Sequence, residues 1–277
     1  MIPTPRTAQQ KIFIGGYTKS GTTFVGRAFG LFNGVYAKGE LDYFRLFAKN
    51  MREMVVAYNE NITHVNKEVY DGQGTLEPLT PDSFRELHDK TFKHVFFAGQ
   101  PVPSDCETIV EKSPRNIFCV EDIEVIFPEA INVCTYREPI AVFRSLMRQM
   151  ADHRDPDYQN PGFSPRIKML KEFCVYWEHH VRIIEKRRQI LKVIQYDRAA
   201  DDHQGLIDFI EKEVLRRSPG LKASVETLSK EHYLKSLPEE ARAKSLVQTG
   251  PYKIQLAKGE IKKIKKLCRT PKISFDF

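Results

Sequence analysis

Residues 11–29, Lys11-Ile12-Phe13-Ile14-Gly15-Gly16-Tyr17-Thr18-Lys19-Ser20-Gly21-Thr22-Thr23-Phe24-Val25-Gly26-Arg27-Ala28-Phe29, decide the fold. The apolar run 11–15 reads as a buried strand, 22–32 reads as a helix with Gly34 as its stop signal, and a glycine-rich turn joins the two. Such a turn points successive backbone N–H groups and the positive end of a helix dipole at one spot, which is a cradle for a phosphate-sized anion.

Working outward, further short apolar runs at 35–37, 107–111, 131–136 and 191–196 alternate with helical periodicity over 116–127, 139–150 and a long stretch from about Ser164. This pattern predicts an α/β fold: a three-layer sandwich with a central, mostly parallel sheet of about five strands flanked by helices, P-loop-like. At 277 residues and 41% hydrophobic, one domain spanning the whole chain is expected. The stretches 46–104 and 151–165 carry no strand signal and are expected over the ends of the sheet as acceptor-side covering segments. From about Leu215 the chain reads as mostly helical and basic, broken at Ser218-Pro219-Gly220 and Gly250-Pro251, and 258–267 reads as an ordinary amphipathic helix.

A formal charge of +7 calls for an anionic partner. The five cysteines are widely spaced without a CxxC or zinc pattern and read as reduced thiols. No run of eighteen apolar residues and no signal-peptide pattern is visible, so a soluble, cytoplasmic protein with neither membrane nor nucleic-acid partner is expected.

Spacing in the turn narrows the ligand. A nucleotide-hydrolysing P-loop needs Lys directly after the second glycine, and Thr22 stands there, with Lys19 inside the turn instead. Tyr17 followed by TKSGTT closely resembles the YPKSGTTW signature of sulfotransferases that use 3'-phosphoadenosine-5'-phosphosulfate (PAPS), with Thr18 for proline and Phe24 for tryptophan. The resemblance implies that Lys19, Ser20, Gly21, Thr22, Thr23 and Phe24 hold the nucleotide. Arg137 and Ser145, eight residues apart in YREPIAVFRS, resemble the family's 3'-phosphate pair. Tyr196, at the end of the last strand run, resembles the tyrosine that meets adenine. VQTGPYK at 247–253 is similar to the loop closing over the nucleotide, with Lys253 supplying its charge. Arg144 and Arg148 read as solvated helix charges.

Sulfuryl transfer needs an in-line acceptor, a base for its proton and a cation against charge on the departing oxygen, the role implied for Lys19. No metal ion is required for it. VEKSPRN at 110–116 lacks the histidine of the phenol and steroid enzymes and looks more like the EKTP segment of heparan-type and bacterial members, with Lys112 as a second cation. KGELDYF at 38–44 resembles the heparan-type KEPHFF segment and makes Glu40 the expected base, with Glu111, His64 and His153 in reserve. Asp42 beside Glu40 forms an acidic pair suited to a cationic acceptor, and a natural product such as a cationic alkaloid is the expected small-molecule acceptor. Two other readings stay open at this stage. One is a P-loop small-molecule kinase, and the other is a non-catalytic basic interaction module.

Overall fold

Five apolar segments become the strands of one parallel sheet in the computed structural model, which describes residues 9–74, 76–215 and 254–277. The strands are β1 (Gln10–Gly16), β2 (Val35–Gly39), β3 (Thr108–Lys112), β4 (Ile131–Tyr136) and β5 (Leu191–Gln195), in the order β2-β3-β1-β4-β5. All four pairings are parallel, with Gly16 opposite Thr135 and Gly39 opposite Lys112.

Side chains alternate between two buried faces, as a sheet covered on both sides requires. Ile12, Ile14, Val110, Val133 and Ile194 face one way, onto Val25 and Phe29 of α1 (Thr22–Phe29) and Leu206 of α8 (His203–Phe209). On the other face, Phe13 and Ile109 meet α3 (Pro81–Phe96) and α4 (Val120–Ile126), while Cys134 and Tyr136 meet α5 (Pro139–His153) and α6 (Ser164–Lys186). The result is the α/β three-layer sandwich expected from the strand and helix pattern.

Several expectations need correction. The stretch 46–104 is largely helical: α2 (Lys49–Glu68) buries only Ile62, but α3 belongs to a sandwich layer rather than to the sheet's end. His88, Phe92 and Phe96, four residues apart, form one buried stripe on α3, and Phe92 and Phe96 pack in the cluster of Phe13 and Phe127. Each buried aromatic contributes about 1.5–3 kcal/mol, enough to draw the helix onto the face. Within the stretch 151–165, Tyr158 is buried in a short 3-10 turn (Pro156–Gln159), and the Arg166 guanidinium donates to the carbonyls of Tyr158 and Gln159 at 2.8 and 2.7 Å.

The expected helix over 116–127 is two pieces, a 3-10 turn (Pro114–Cys119) and then α4. The Asn116 amide is drawn onto Glu111 Oε2 at 2.5 Å, which fixes the tight turn. The first helix stops at Phe29, where Gly30 caps it. Strand β3 runs one residue later than read, and β5 ends at Gln195 so that Tyr196 opens α7 (Tyr196–Asp201).

The helix Lys258–Leu267 docks through Ile264 and through Glu260, whose carboxylate meets the fully buried Arg166 in a two-pronged pair at 2.8 and 2.7 Å. Residues beyond it reach the edge of β5: the Gln195 N–H donates to the Phe277 carbonyl at 2.6 Å and the Val193 N–H to Asp276 Oδ2 at 2.6 Å. This covers an edge that would otherwise offer unpaired backbone. The turns expected at 218–220 and 250–251 lie outside the described residues. Among the described residues, no helix is long and apolar enough to cross a membrane.

The chain leaves β1 toward β2 on one side and leaves β4 toward β5 on the other, so the sheet's connections part at the carboxyl ends of β1 and β4. Ligands of open α/β sheets bind at such a crevice.

Candidate functional site

A cleft of about 860 Å³ opens along the carboxyl ends of the strands. Its lining includes Thr18, Lys19, Gly21, Thr22, Thr23 and Phe24 from the β1–α1 turn, Arg137, Ser145 and Gln149 around α5, and Tyr196, Ala200 and His203 beyond β5. Arg27 of α1, Glu40, Asp42 and Arg45 after β2, and Pro114 and Arg115 after β3 complete it. Because the strands lie in the order β2-β3-β1-β4-β5, these groups are laid out along the cleft in that spatial order.

The centre is the N-terminus of α1. Gly21 is its first boundary residue with φ 101°, a left-handed conformation open to glycine, and an added Cβ would lie 2.0 Å from the Tyr196 ring. No side chain caps this helix and no acidic residue stands in its first turn, so its leading N–H groups and dipole are left for an anion. Ser20 is placed differently from the other loop residues. Its side chain is fully buried and shares a 2.7 Å hydrogen bond with the Thr135 hydroxyl, which fastens the turn to β4.

Lys19 adopts φ 73°. Burial lowers its ammonium below the usual lysine range, the Lys112 charge lowers it further, and Glu40 and Asp152 pull the other way. Non-glycine residues in left-handed backbone are strained. Five such residues are described, and Lys19, Glu40 and Asp42 are the three that line this cleft.

On the β4 side, Arg137 and Ser145 both line the cleft, one just past the strand and one two turns into α5. The Arg137 guanidinium lies 4.5 Å from the centre of the Tyr196 ring. Its Nε is buried 3.4 Å from Asp197 Oδ1 with no hydrogen-bond partner among the described residues. Tyr196 also meets Phe24 edge-on at 5.7 Å, so one ring touches the turn and the arginine together. Arg144 and Arg148 are exposed.

On the β2–β3 side, Lys112 Nζ donates to Glu40 Oε1 at 2.6 Å. The lysine side chain is 9% exposed and the glutamate 68%, so the carboxylate reaches the cleft from a buried cation. Glu111 is fully buried; it accepts from Leu41 N at 3.2 Å, Ser113 Oγ at 2.5 Å and Asn116 Nδ2 at 2.5 Å. Burial pushes its carboxyl up while those three bonds hold it down. It holds the 39–42 turn in place and does not line the cleft. His64 and His153 are exposed and also lie outside the lining. Lys253 and its loop fall outside the described residues.

Three cleft arginines escaped the sequence reading. Arg115 follows the Lys112 segment by three positions, Arg27 stands one helical turn after Thr23, and Arg45 sits in a π-helical turn (Phe44–Ala48) that no pattern announces. The i,i+4 spacing from Thr23 was the available signal for Arg27.

A family model described as "Sulfotransferase family" matches residues 11–208, more than half of the chain. No curated protein matches in sequence. Solved structures similar to the chain include sulfotransferase STF1 from Mycobacterium tuberculosis H37Rv (15% identity, 86% of this chain and 76% of that one, TM-score 0.45). The sulfotransferase domain of the Synechococcus PCC 7002 olefin synthase (13%, 96% and 98%, TM-score 0.40) and sulfotransferase STF9 from Mycobacterium avium (12%, 98% and 79%, TM-score 0.41) are similar too.

Proposed function

The chain belongs to the sulfotransferase family, and from that premise we propose that it transfers the sulfuryl group of PAPS to a hydroxyl or amine of a small-molecule acceptor. The observation that carries this reading is the joining of two anion-binding elements in one cleft. The uncapped start of α1 and the Arg137–Ser145 pair flank the Tyr196 ring, which touches both. The Arg137 guanidinium, whose Nε makes no hydrogen bond among the described residues, and the uncapped helix start both fit phosphate oxygens.

PAPS supplies an activated sulfuryl group: its bond to the bridging oxygen breaks as the acceptor atom bonds to sulfur, leaving 3',5'-diphosphoadenosine (PAP). Lys19 and the N–H groups opening α1 stabilise the charge that gathers on the bridging oxygen. Arg137 and Ser145 grip the 3'-phosphate, and Tyr196 and Phe24 border the adenine. Glu40, aimed from the buried Lys112, takes the acceptor's proton. Thr22, where a kinase would carry its lysine, separates this reading from phosphoryl transfer. The cleft volume suits a nucleotide beside a small natural product.

Calorimetry with PAP and with adenosine 5'-monophosphate tests the reading. PAP is expected to bind at least about tenfold more tightly, and Arg137→Ala to erase that difference. Equal affinity for the two nucleotides in the wild type would overturn it.

A further inference from the structure

The β2–β3 end of the cleft carries more positive charge than the transfer of a sulfuryl group to a neutral acceptor requires. Lys19 and Arg137 lie at the β1 and β4 strand ends, where the nucleotide is proposed to sit. Arg45 and Arg115 come from separate elements at the opposite end, the π-helical turn after β2 and the 3-10 turn after β3.

These two arginines share one carboxylate. Arg45 Nε and Nη2 lie 3.0 and 2.9 Å from Asp42 Oδ2, a direct ion pair. Arg115 Nη1 stands 3.9 Å from the same oxygen, outside hydrogen-bond range, and has no closer partner among the described residues. Its side chain is 58% exposed and borders the cleft. The trio therefore has two positive charges to one negative, and the Asp42 carboxylate that a cationic acceptor would need is already occupied. Asp42 is itself held in left-handed backbone at φ 50° by a 3.0 Å bond from its N–H to Ser113 Oγ, and Ser113 in turn donates to buried Glu111. The carboxylate is thus fixed as a template for two guanidiniums rather than left mobile as a counter-ion.

We propose that the acceptor of the sulfotransferase reaction carries a carboxylate or similar anionic group, seated on Arg115 and the outer edge of Arg45. Its nucleophilic atom then lies toward Glu40 and Lys19. The inference rests on the sulfotransferase reading and names its acceptor class. It replaces the cationic acceptor that the Glu40–Asp42 pair suggested from sequence. A guanidinium binding a carboxylate through charge-assisted bonds favours the acid over its neutral ester by about tenfold to a hundredfold.

The test is sulfuryl transfer from labelled PAPS to hydroxy acids such as 4-hydroxybenzoate and 4-hydroxyphenylacetate, to their methyl esters, and to the amine tyramine. PAP affinity is measured alongside. The acids are expected to be favoured at least about tenfold in kcat/KM. In Arg115→Gln that preference collapses through KM, with kcat and PAP affinity kept. In Arg45→Gln the uncovered Asp42 raises the relative rate with tyramine. Equal or better use of esters or amine by the wild type, failure to use any hydroxy acid while PAP binds, or an unchanged acid preference in Arg115→Gln overturns the proposal. Absence of PAP binding would overturn the underlying reading along with it.

Discussion

At the β1–β4 end of the cleft, the proposed anion-binding groups come from the backbone of one turn and from Arg137 and Ser145, eight residues apart. At the β2 end, Glu40 meets Lys112 across 72 residues of chain, and Asp42 meets Arg115 across a comparable span. The first end is local and stands on rigid elements, a strand end and two helix starts. The second is assembled by packing, on turns whose residues adopt strained backbone and are held by the buried Glu111, Ser113 and Asn116 network. One end is suited to a ligand that stays the same, and the other to a ligand that can change without disturbing the fold.

Substitutions separate the two ends by what they cost. Glu40→Gln should lower turnover by about 10² to 10⁴ while PAP affinity changes little near neutral pH, where Lys19 stays protonated and the lost group is the acceptor's base. Steady-state rates beside calorimetry check this, and unchanged turnover would remove Glu40 from the reaction. Lys19→Ala should cost about 10² to 10³ in kcat. Its lowered pKa also places the alkaline loss of wild-type activity below the ordinary lysine range. Glu40→Gln should move that limb lower still, since the Glu40 charge is what supports the protonated lysine. A pH–rate profile reads both shifts.

Arg137→Ala should weaken PAP by about 10- to 100-fold. The mutation is at the nucleotide end, so the acceptor KM should hold, and a change confined to that KM would contradict the division between the ends.

The smallest effect concerns what lies beneath the phosphate turn. His180 in α6 packs against Tyr17 at 5.9 Å, fully buried, with neither ring nitrogen partnered among the described residues. Burial, helped by the His179 charge, lowers it to about 3. The unfolded chain binds this proton from about pH 6.5 downward and the folded chain does not, so the stability it sustains above that pH is lost as pH falls. The slope for one group is at most about 1.4 kcal/mol per pH unit. His88, lowered to about 4 chiefly by burial, adds to the same trend. Urea unfolding between pH 7 and 4.5 should show a shallower decline in His180→Leu, and an identical decline would refute it.

The sequence made the layout of the proposed nucleotide end legible because its residues are nearly contiguous. The turn 16–23 fixes strand, cradle and helix together, and the Arg137 to Ser145 spacing follows from two helical turns. The five-strand parallel sheet was legible for the same reason, since each strand is a short apolar run between helical stretches. Tyr196 was found as a residue but misplaced as a strand end, because one position separates the last strand residue from the first helical one. Arg45 and Arg115 were not legible: an exposed arginine in a turn looks like any solvated charge until packing brings two of them to one carboxylate. Ser20 was expected among the residues holding the nucleotide, and the bond of its hydroxyl to Thr135 was not legible, because that partner comes from β4, 115 residues away. The place of α3 was missed although its stripe of His88, Phe92 and Phe96 stood at helical spacing.

The central claim is that one cleft grips a doubly phosphorylated adenosine at the ends of β1 and β4. Calorimetric titration of the protein with PAP, and with ATP plus magnesium at the same salt concentration, tests it most directly. The account predicts that PAP binds about a hundredfold more tightly than ATP. Magnesium-dependent ATP binding as tight as that of PAP, or no binding of either nucleotide, would contradict it.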